Sequence, residues 1–340
     1  MGKRSAHAVP ADRLGDRLVL QEPPSAQRPP MAARCQLRDL AEHCLNKQFE
    51  SWVSWATMTS IGDQLREQTV DTVLGRIRLQ VGGSGSPIVF WPSLLMTGDM
   101  WHGVAGDLIV RRQVVLVDPP GQGGSQPLTK LFSFDECARC VVDILDGLGI
   151  DKAHFVGNSW GGMIGGTFAA TYPERIGGAV LMNCTAGRAS VRQKVQFAIL
   201  LALAKWTGGM GPLLNRPVLK AFLGPTTFRQ RPEVIEHVLT ALKAVDVASV
   251  SWAVKSVVPR RPDQRALFGT ITTPVLVVGG AEDVTFPPRE AIAMADAIPG
   301  SSVRVLDGVA HLAGLENPPL VSALVEQFLF GGSESGSGAT

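Results

Sequence analysis

Short apolar runs without alternation recur along the chain: Ile88–Trp91, Val114–Val117, His154–Val156, Ala179–Met182, Val275–Val278 and Val303–Leu306. Strands buried on both faces of a parallel sheet carry this pattern, because neither face meets water. Between the runs, apolar positions repeat at helical spacing over Phe134–Leu148, Gly162–Thr171, Arg289–Ala297 and Pro319–Phe330. Strand and helix alternate, which predicts an α/β class with a mostly parallel central sheet and helices on both faces. Ahead of the first run, Val70 to Val81 alternates, with Gly75 at a turn, and predicts an antiparallel hairpin. The alternation stops between Gly187 and Pro262. There, VRQKVQFAILLALAKW, PEVIEHVLTALKAV and ASVSWAVKSVV all carry helical spacing and no strand intervenes. A helical insertion before the last strands reads as a lid over the strand ends.

These shifts divide the chain into five parts. Residues 1–57 form a weakly ordered N-terminal extension, with a Pro-rich piece from Glu22 to Pro30 and a helical pattern from Leu37 to Trp55. Residues 58–186 are the first part of the core, 187–262 the lid, 263–330 the second part of the core, and 331–340 a flexible tail. A native start at Met58 or Met31 would account for the extension, and an intact mass beginning at Met1 would exclude it.

Composition narrows the classes. At 340 residues, 45% hydrophobic and with a formal charge of +2, the chain has an ordinary soluble composition and no basic excess for nucleic acid. No apolar run approaches the roughly 18 residues that cross a bilayer, and the first residues lack the apolar core of a secretory signal. The expectation is a cytoplasmic protein with no membrane partner. Five cysteines, an odd count without an export signal, fit reduced thiols. Cys137-x-x-Cys140 lies in a helical pattern with no second ligand pair, so it reads as small buried residues and no metal is expected.

The chemistry gathers on Gly157-Asn158-Ser159-Trp160-Gly161. A serine flanked by glycines two residues on either side, between a strand and a helix, is the signature of a nucleophile elbow. The turn is too sharp for side chains at the flanking positions, and it lifts the hydroxyl beside the amides of a helix N-terminus. A serine nucleophile needs a base, and the base needs an orienting acid. Of six histidines, His7 and His43 lie in the extension, His102 near a helix start, His154 in a strand and His237 in the lid. His311 lies in a loop after a strand, where parallel sheets place reactive groups. Asp283 stands just past the strand Val275–Val278 and upstream of His311, with Glu282 as its nearest competitor. Asp307 is too close to His311 in sequence, and Asp263 reads as a turn or cap residue. The order Ser159, Asp283, His311 is that of elbow-type hydrolases.

The sequence therefore resembles the α/β-hydrolase superfamily over roughly Val70 to Phe330. The similar segments are the elbow, Asp118–Ser125, Tyr172–Arg175, Gly280–Asp283 and His311–Pro318. Leu181–Arg188, Arg261–Gly280 and Ala297–Ser301 are similar to enol-lactone hydrolases of 3-oxoadipate type. The resemblance implies an α/β-hydrolase fold, with Ser159 as nucleophile, His311 as base, Asp283 as its partner, and no cofactor. It also implies an oxyanion hole. Where the family has His-Gly, this chain has Pro92-Ser93, so the donors would be the N–H groups of Leu94, or Ser93 one position earlier, and Trp160. Trp91, Ser93, Met96, Trp101, Trp160 and Met163 from the core, and Trp206, Phe222 and Trp252 from the lid, either line an apolar pocket for a small molecule or are ordinary core residues, the default for such side chains taken singly. Arg260 and Arg261 either anchor a substrate carboxylate or are solvated residues at the lid's edge, the default for arginine.

The leading expectation is a serine hydrolase that cleaves a carboxylic ester or lactone through an acyl-enzyme. The same triad would serve carbon–carbon hydrolysis of a diketone, or perhydrolysis. A non-catalytic receptor for a small molecule is the third reading. Neither the substrate nor the oligomeric state follows from the sequence.

Overall fold

The computed structural model describes residues 61–331. The N-terminal extension, the alternative starts at Met31 and Met58, and the tail after Gly331 lie outside the described residues. Eight strands form one sheet: β1 (Leu65–Thr72), β2 (Gly75–Gly82), β3 (Pro87–Trp91), β4 (Gln113–Val117), β5 (Ala153–Asn158), β6 (Ile176–Met182), β7 (Val275–Gly280) and β8 (Ser302–Leu306). Their order is β1-β2-β4-β3-β5-β6-β7-β8. The first pair is the expected hairpin, closed by the pair Thr72 and Gly75, with Gly75 at φ 97°. β2 meets β4 antiparallel, and every later pairing is parallel.

Twelve α-helices complete the described fold. They are α1 (His102–Leu108), α2 (Phe134–Gly147), α3 (Trp160–Thr171), α4 (Val191–Trp206), α5 (Pro212–Phe222), α6 (Pro225–Gln230), α7 (Pro232–Lys243), α8 (Val247–Val257), α9 (Arg265–Phe268), α10 (Pro288–Asp296), α11 (Ala313–Glu316) and α12 (Pro318–Phe330). Successive strand residues point to opposite faces, and both faces are dry. Val89, Val115, Phe155, Leu181 and Val277 pack on one side with Val141 of α2 and Ile164 of α3. Ile88, Phe90, Leu116, Val156 and Val278 pack on the other with Val104 of α1 and Val325 of α12. This two-sided burial is why the strand segments read as unbroken apolar runs.

The register sets up the site. Trp91 pairs with Gly157, Gly157 with Leu181, and Leu181 with Val277. The C-terminal ends of β3, β5, β6 and β7 are therefore level, and the residues just beyond them project from one edge. Helices α4 to α8 all fall between β6 and β7, where the sequence predicts the helical insertion.

Candidate active site

Ser159 stands between β5 and α3 at φ 55°, ψ −112°, left-handed backbone that a residue with a side chain adopts at a cost of about 1–3 kcal/mol. The surrounding bonds hold it there. Its N–H donates to the Met182 carbonyl at 2.8 Å, and its own carbonyl accepts from Met163 N–H at 3.0 Å. The two flanking glycines are required sterically. A Cβ on Gly161 would overlap the carbonyl oxygen of Trp91, and one on Gly157 would overlap the backbone of Gly161.

Asp283 follows β7 and is almost fully buried. Its Oδ2 lies 2.8 Å from Nδ1 of His311 and accepts from Nδ2 of Asn183 at 3.1 Å. Its Oδ1 accepts from the backbone N–H groups of Thr285 (2.8 Å) and Phe286 (3.0 Å). The carboxylate is thus fixed from four directions, and it in turn fixes the imidazole. Rings of Phe222 and Phe286 flank His311 at centroid distances of 5.5 and 5.6 Å. Glu282 points elsewhere, to Thr226, and Asp307 is exposed. Asp263 accepts from Arg265 N–H, as a turn residue does.

Asn158 joins the elbow to the histidine. Its Nδ2 donates to Ser93 Oγ at 2.7 Å and to the His311 carbonyl at 2.8 Å. Ser159 Oγ and the imidazole are not hydrogen-bonded to each other in this structure, a looseness common in unliganded sites. Glu316 clamps the histidine loop from below: its Oε1 accepts the N–H groups of Ala310 (3.0 Å) and Leu312 (3.1 Å), on either side of His311. Burial pushes the Glu316 carboxyl above its ordinary value, against the pull of those bonds. Sequence reading missed Asn158, Asn183 and Glu316. Position was a signal for Asn158, next to Ser159, and for Glu316, five residues after His311; Asn183 had none.

After β3 the chain turns sharply, with Leu95 at φ 72°. Leu95 N–H donates to Gln122 Oε1 at 2.6 Å and Met96 N–H to the Ser93 carbonyl at 3.1 Å. The N–H groups of Ser93 and Leu94 have no acceptor among the described residues. The same holds for Trp160 N–H in the first turn of α3, where no helical acceptor exists. Gln122 belongs to the segment Asp118–Ser125, which is held by buried Asp118. Its carboxylate accepts from Gly98 N–H, Gly124 N–H and Arg78 Nη1, each at 2.9 Å.

Trp91, Trp160 and Met163 are buried around the elbow, the two indoles edge to face at 5.8 Å. Met96 and Trp101 are buried in the cluster on the opposite sheet face, Trp101 against Phe90 at 5.4 Å. Trp252 of α8 is half-buried under Lys255. Trp206 does not reach the elbow; it is 82% exposed. The two arginines part company. Arg260 is exposed, whereas Arg261 is 6% exposed and corrects the expectation of a solvated side chain. Its Nε donates to the Gly187 carbonyl at 2.8 Å, its guanidinium lies 5.5 Å from the Phe286 ring, and burial pulls its pKa down to about 10.

The cysteine pair lies on α2, both thiols buried, and desolvation pushes Cys140 up to about 12. Among the described residues no three His, Cys, Asp or Glu side chains gather as a metal site would need. A cavity of about 410 Å³ borders the loop after β3, lined by Leu95, Gln122, His237 and Ser249. It lies beside that loop and Ser159 is not among its walls, so the side-chain geometry is what locates the site.

The sequence profile of the alpha/beta hydrolase fold matches residues 86–318, about two thirds of the chain. The chain belongs to this family. Among curated alpha/beta hydrolase relatives it is 27% identical to 3-oxoadipate enol-lactonase 2 of Acinetobacter baylyi, over 70% of this chain and 86% of that protein. It is 29% identical to a 2-hydroxy-6-oxononadienedioate/2-hydroxy-6-oxononatrienedioate hydrolase of Burkholderia vietnamiensis, over 79% of this chain and 92% of that one. A solved thermophilic esterase from Thermogutta terrifontis superposes with a TM-score of 0.71 at 26% identity, covering 78% of this chain and 98% of its own.

Proposed function

We propose that this alpha/beta hydrolase is a cofactor-independent serine hydrolase that cleaves a carboxylic ester or lactone through an acyl-enzyme. The observation that carries the reading is the conjunction of Ser159 in its left-handed turn with the 2.8 Å bond between Asp283 and His311. Asn158 ties both to one strand end. His311 takes the Ser159 proton as Oγ attacks the carbonyl carbon. Asp283 holds the imidazole in the tautomer with Nδ1 protonated, leaving Nε2 as the base, and stabilises the imidazolium that forms. The oxyanion is received by Trp160 N–H and by Leu94 N–H, or Ser93 N–H one position earlier. These amides have no acceptor among the described residues to give up, and each such donor contributes about 3 kcal/mol to the transition state. The alcohol leaves with the proton from His311, and water activated by the same imidazole releases the acid. Residues 187–262 act as the lid, with Trp91, Ser93, Met163 and Trp252 as the proposed substrate-contacting set; Trp101, buried on the opposite sheet face, stands outside it. The names of the enol-lactonase and esterase relatives agree with this substrate class.

A second reading keeps the triad and changes the bond. The Burkholderia relative is named for an oxo-dicarboxylate, which is neither an ester nor a lactone, and this favours carbon–carbon hydrolysis of a diketone as the alternative. A panel of short p-nitrophenyl esters, lactones and vinylogous diketones separates the two. Ester or lactone turnover that drops at least about 10⁴-fold in Ser159→Ala supports the proposal. Turnover that survives the substitution unchanged sinks the mechanism. Wild type that hydrolyses nothing in the panel and still binds a small ligand would be a receptor on the hydrolase fold.

A further inference from the structure

Helix α4 carries an unbroken apolar run, Phe197 to Ala204, a composition that belongs to a buried helix. In the structure only Ala204 of its sixteen residues is fully buried. Phe197 and Leu201 pack toward the core. The opposite side presents Val191, Val195, Ile199, Leu203 and Trp206 to solvent, and Leu213 at the start of α5 is exposed as well. Three of these are nearly free: Val191 at 78%, Trp206 at 82% and Leu213 at 79% exposure. Scattered apolar residues on a surface need no explanation, but a continuous stripe along a whole helix does.

The charge around the stripe identifies its partner. From Arg175 to Pro232 the chain has no aspartate or glutamate. Within α4 and α5 every charged side chain is basic: Arg192, Lys194, Lys205, Arg216 and Lys220. Exposed apolar side chains with a tryptophan, on a segment whose charged residues are all Lys or Arg, are a composition that suits the interface of an anionic bilayer. We infer that the outer face of α4, with the start of α5, docks this protein on a membrane surface rich in anionic lipid. A second copy of the same face is a poor occupant, since a two-fold contact would bring like charges together. Residues 1–60 are a poor one also, with eight Lys and Arg against six Asp and Glu and so no acidic complement. Docking here would lay the outer face of the insertion against lipid, whatever bond the site cleaves.

The test is co-sedimentation of the full chain with vesicles of phosphatidylcholine alone and of phosphatidylcholine with phosphatidylserine. Binding is expected to the anionic vesicles, to fall with added salt, and to weaken by roughly five-fold for each basic residue replaced, as in Arg192→Gln and Lys205→Gln. The variant Val195→Ser/Ile199→Ser/Trp206→Ser is expected to lose at least about ten-fold in partitioning. These positions are exposed, and an unchanged circular dichroism melt verifies the fold. The readout is binding, so failure of the hydrolase reading would leave it intact. A full chain that ignores both vesicle types overturns the inference. Binding indifferent to the triple variant also overturns it, because another surface would then be responsible. So does a dimer that the triple variant turns into monomer, which would make a second copy the occupant.

Discussion

Glu316 reacts with nothing, yet its one carboxylate oxygen accepts both backbone N–H groups that flank His311. Glu316→Ala would leave two buried donors unsatisfied, at about 1–3 kcal/mol each. Glu316→Gln keeps an oxygen at the same place and can donate to Thr227, so it restores most of the loss. The expected result is a kcat for ester turnover that falls in the alanine variant with KM nearly unchanged, and recovers in the glutamine variant. Equal damage from both would show that charge, and not loop geometry, is what matters. At this scale the candidate site residues stood out in the sequence and their supports did not. Ser159, Asp283 and His311 stand in a fixed order behind strand signals, and the structure joins Asp283 to His311 as that order suggests. Asn158, Asn183 and Glu316 act through bonds to residues 4 to 153 positions away, and such distances leave no local pattern. Arg261 was legible as a charge, but its burial against Gly187 and Phe286 was not.

At the scale of elements the elbow is the least tolerant piece. Gly161→Ala drives a methyl into the Trp91 carbonyl, which lies at the end of a central strand and cannot yield as a side-chain tip would. Overpacking of this kind costs about 1–3 kcal/mol. The expected outcome is a lower midpoint in thermal unfolding together with loss of ester turnover, whereas a variant with wild-type melting and activity would mean the turn is looser than the structure has it. Strands and large helices were readable because two-sided burial and helical periodicity leave strong patterns. Helix α4 appears in the sequence with its exact span, Val191 to Trp206. Helices α5 and α6 were not foreseen. Each begins with proline, α5 carries Pro217 inside, and α6 is six residues long, so neither shows a sustained period. Helix α1, seven residues long, showed in the sequence only as a helix start near His102.

For the molecule as a whole, acid is the expected weakness. Burial lowers the pKa of His102, His154 and His237 below the ordinary 6.5. A histidine with a lowered folded value contributes stability that is fully present above 6.5 and is lost as pH falls through the folded value. Glu316, raised by burial, works in the opposite sense, one group against three. The thermal midpoint is therefore expected to fall between about pH 7.5 and 5.5. His154→Phe, which removes a ring packed on Phe330 with its Nδ1 unpartnered, should flatten that fall. A midpoint independent of pH over this range would contradict the burial of these imidazoles. The topology, with its level strand ends and its insertion between β6 and β7, was legible because it follows from element order. How the insertion seats on the core was not, since it depends on contacts such as His311 N–H to the Phe222 carbonyl at 3.0 Å. That bond, with the Phe222 ring stacked on the imidazole, bears on how such a protein can diverge. The end of α5 is fastened to His311, the proposed base, so the insertion is not an interchangeable cassette. A graft that replaces α5 removes that fastening, whereas exchanges confined to α4 leave it untouched. New specificities in this lineage should arise more readily by drift in α4 than by wholesale replacement of the insertion.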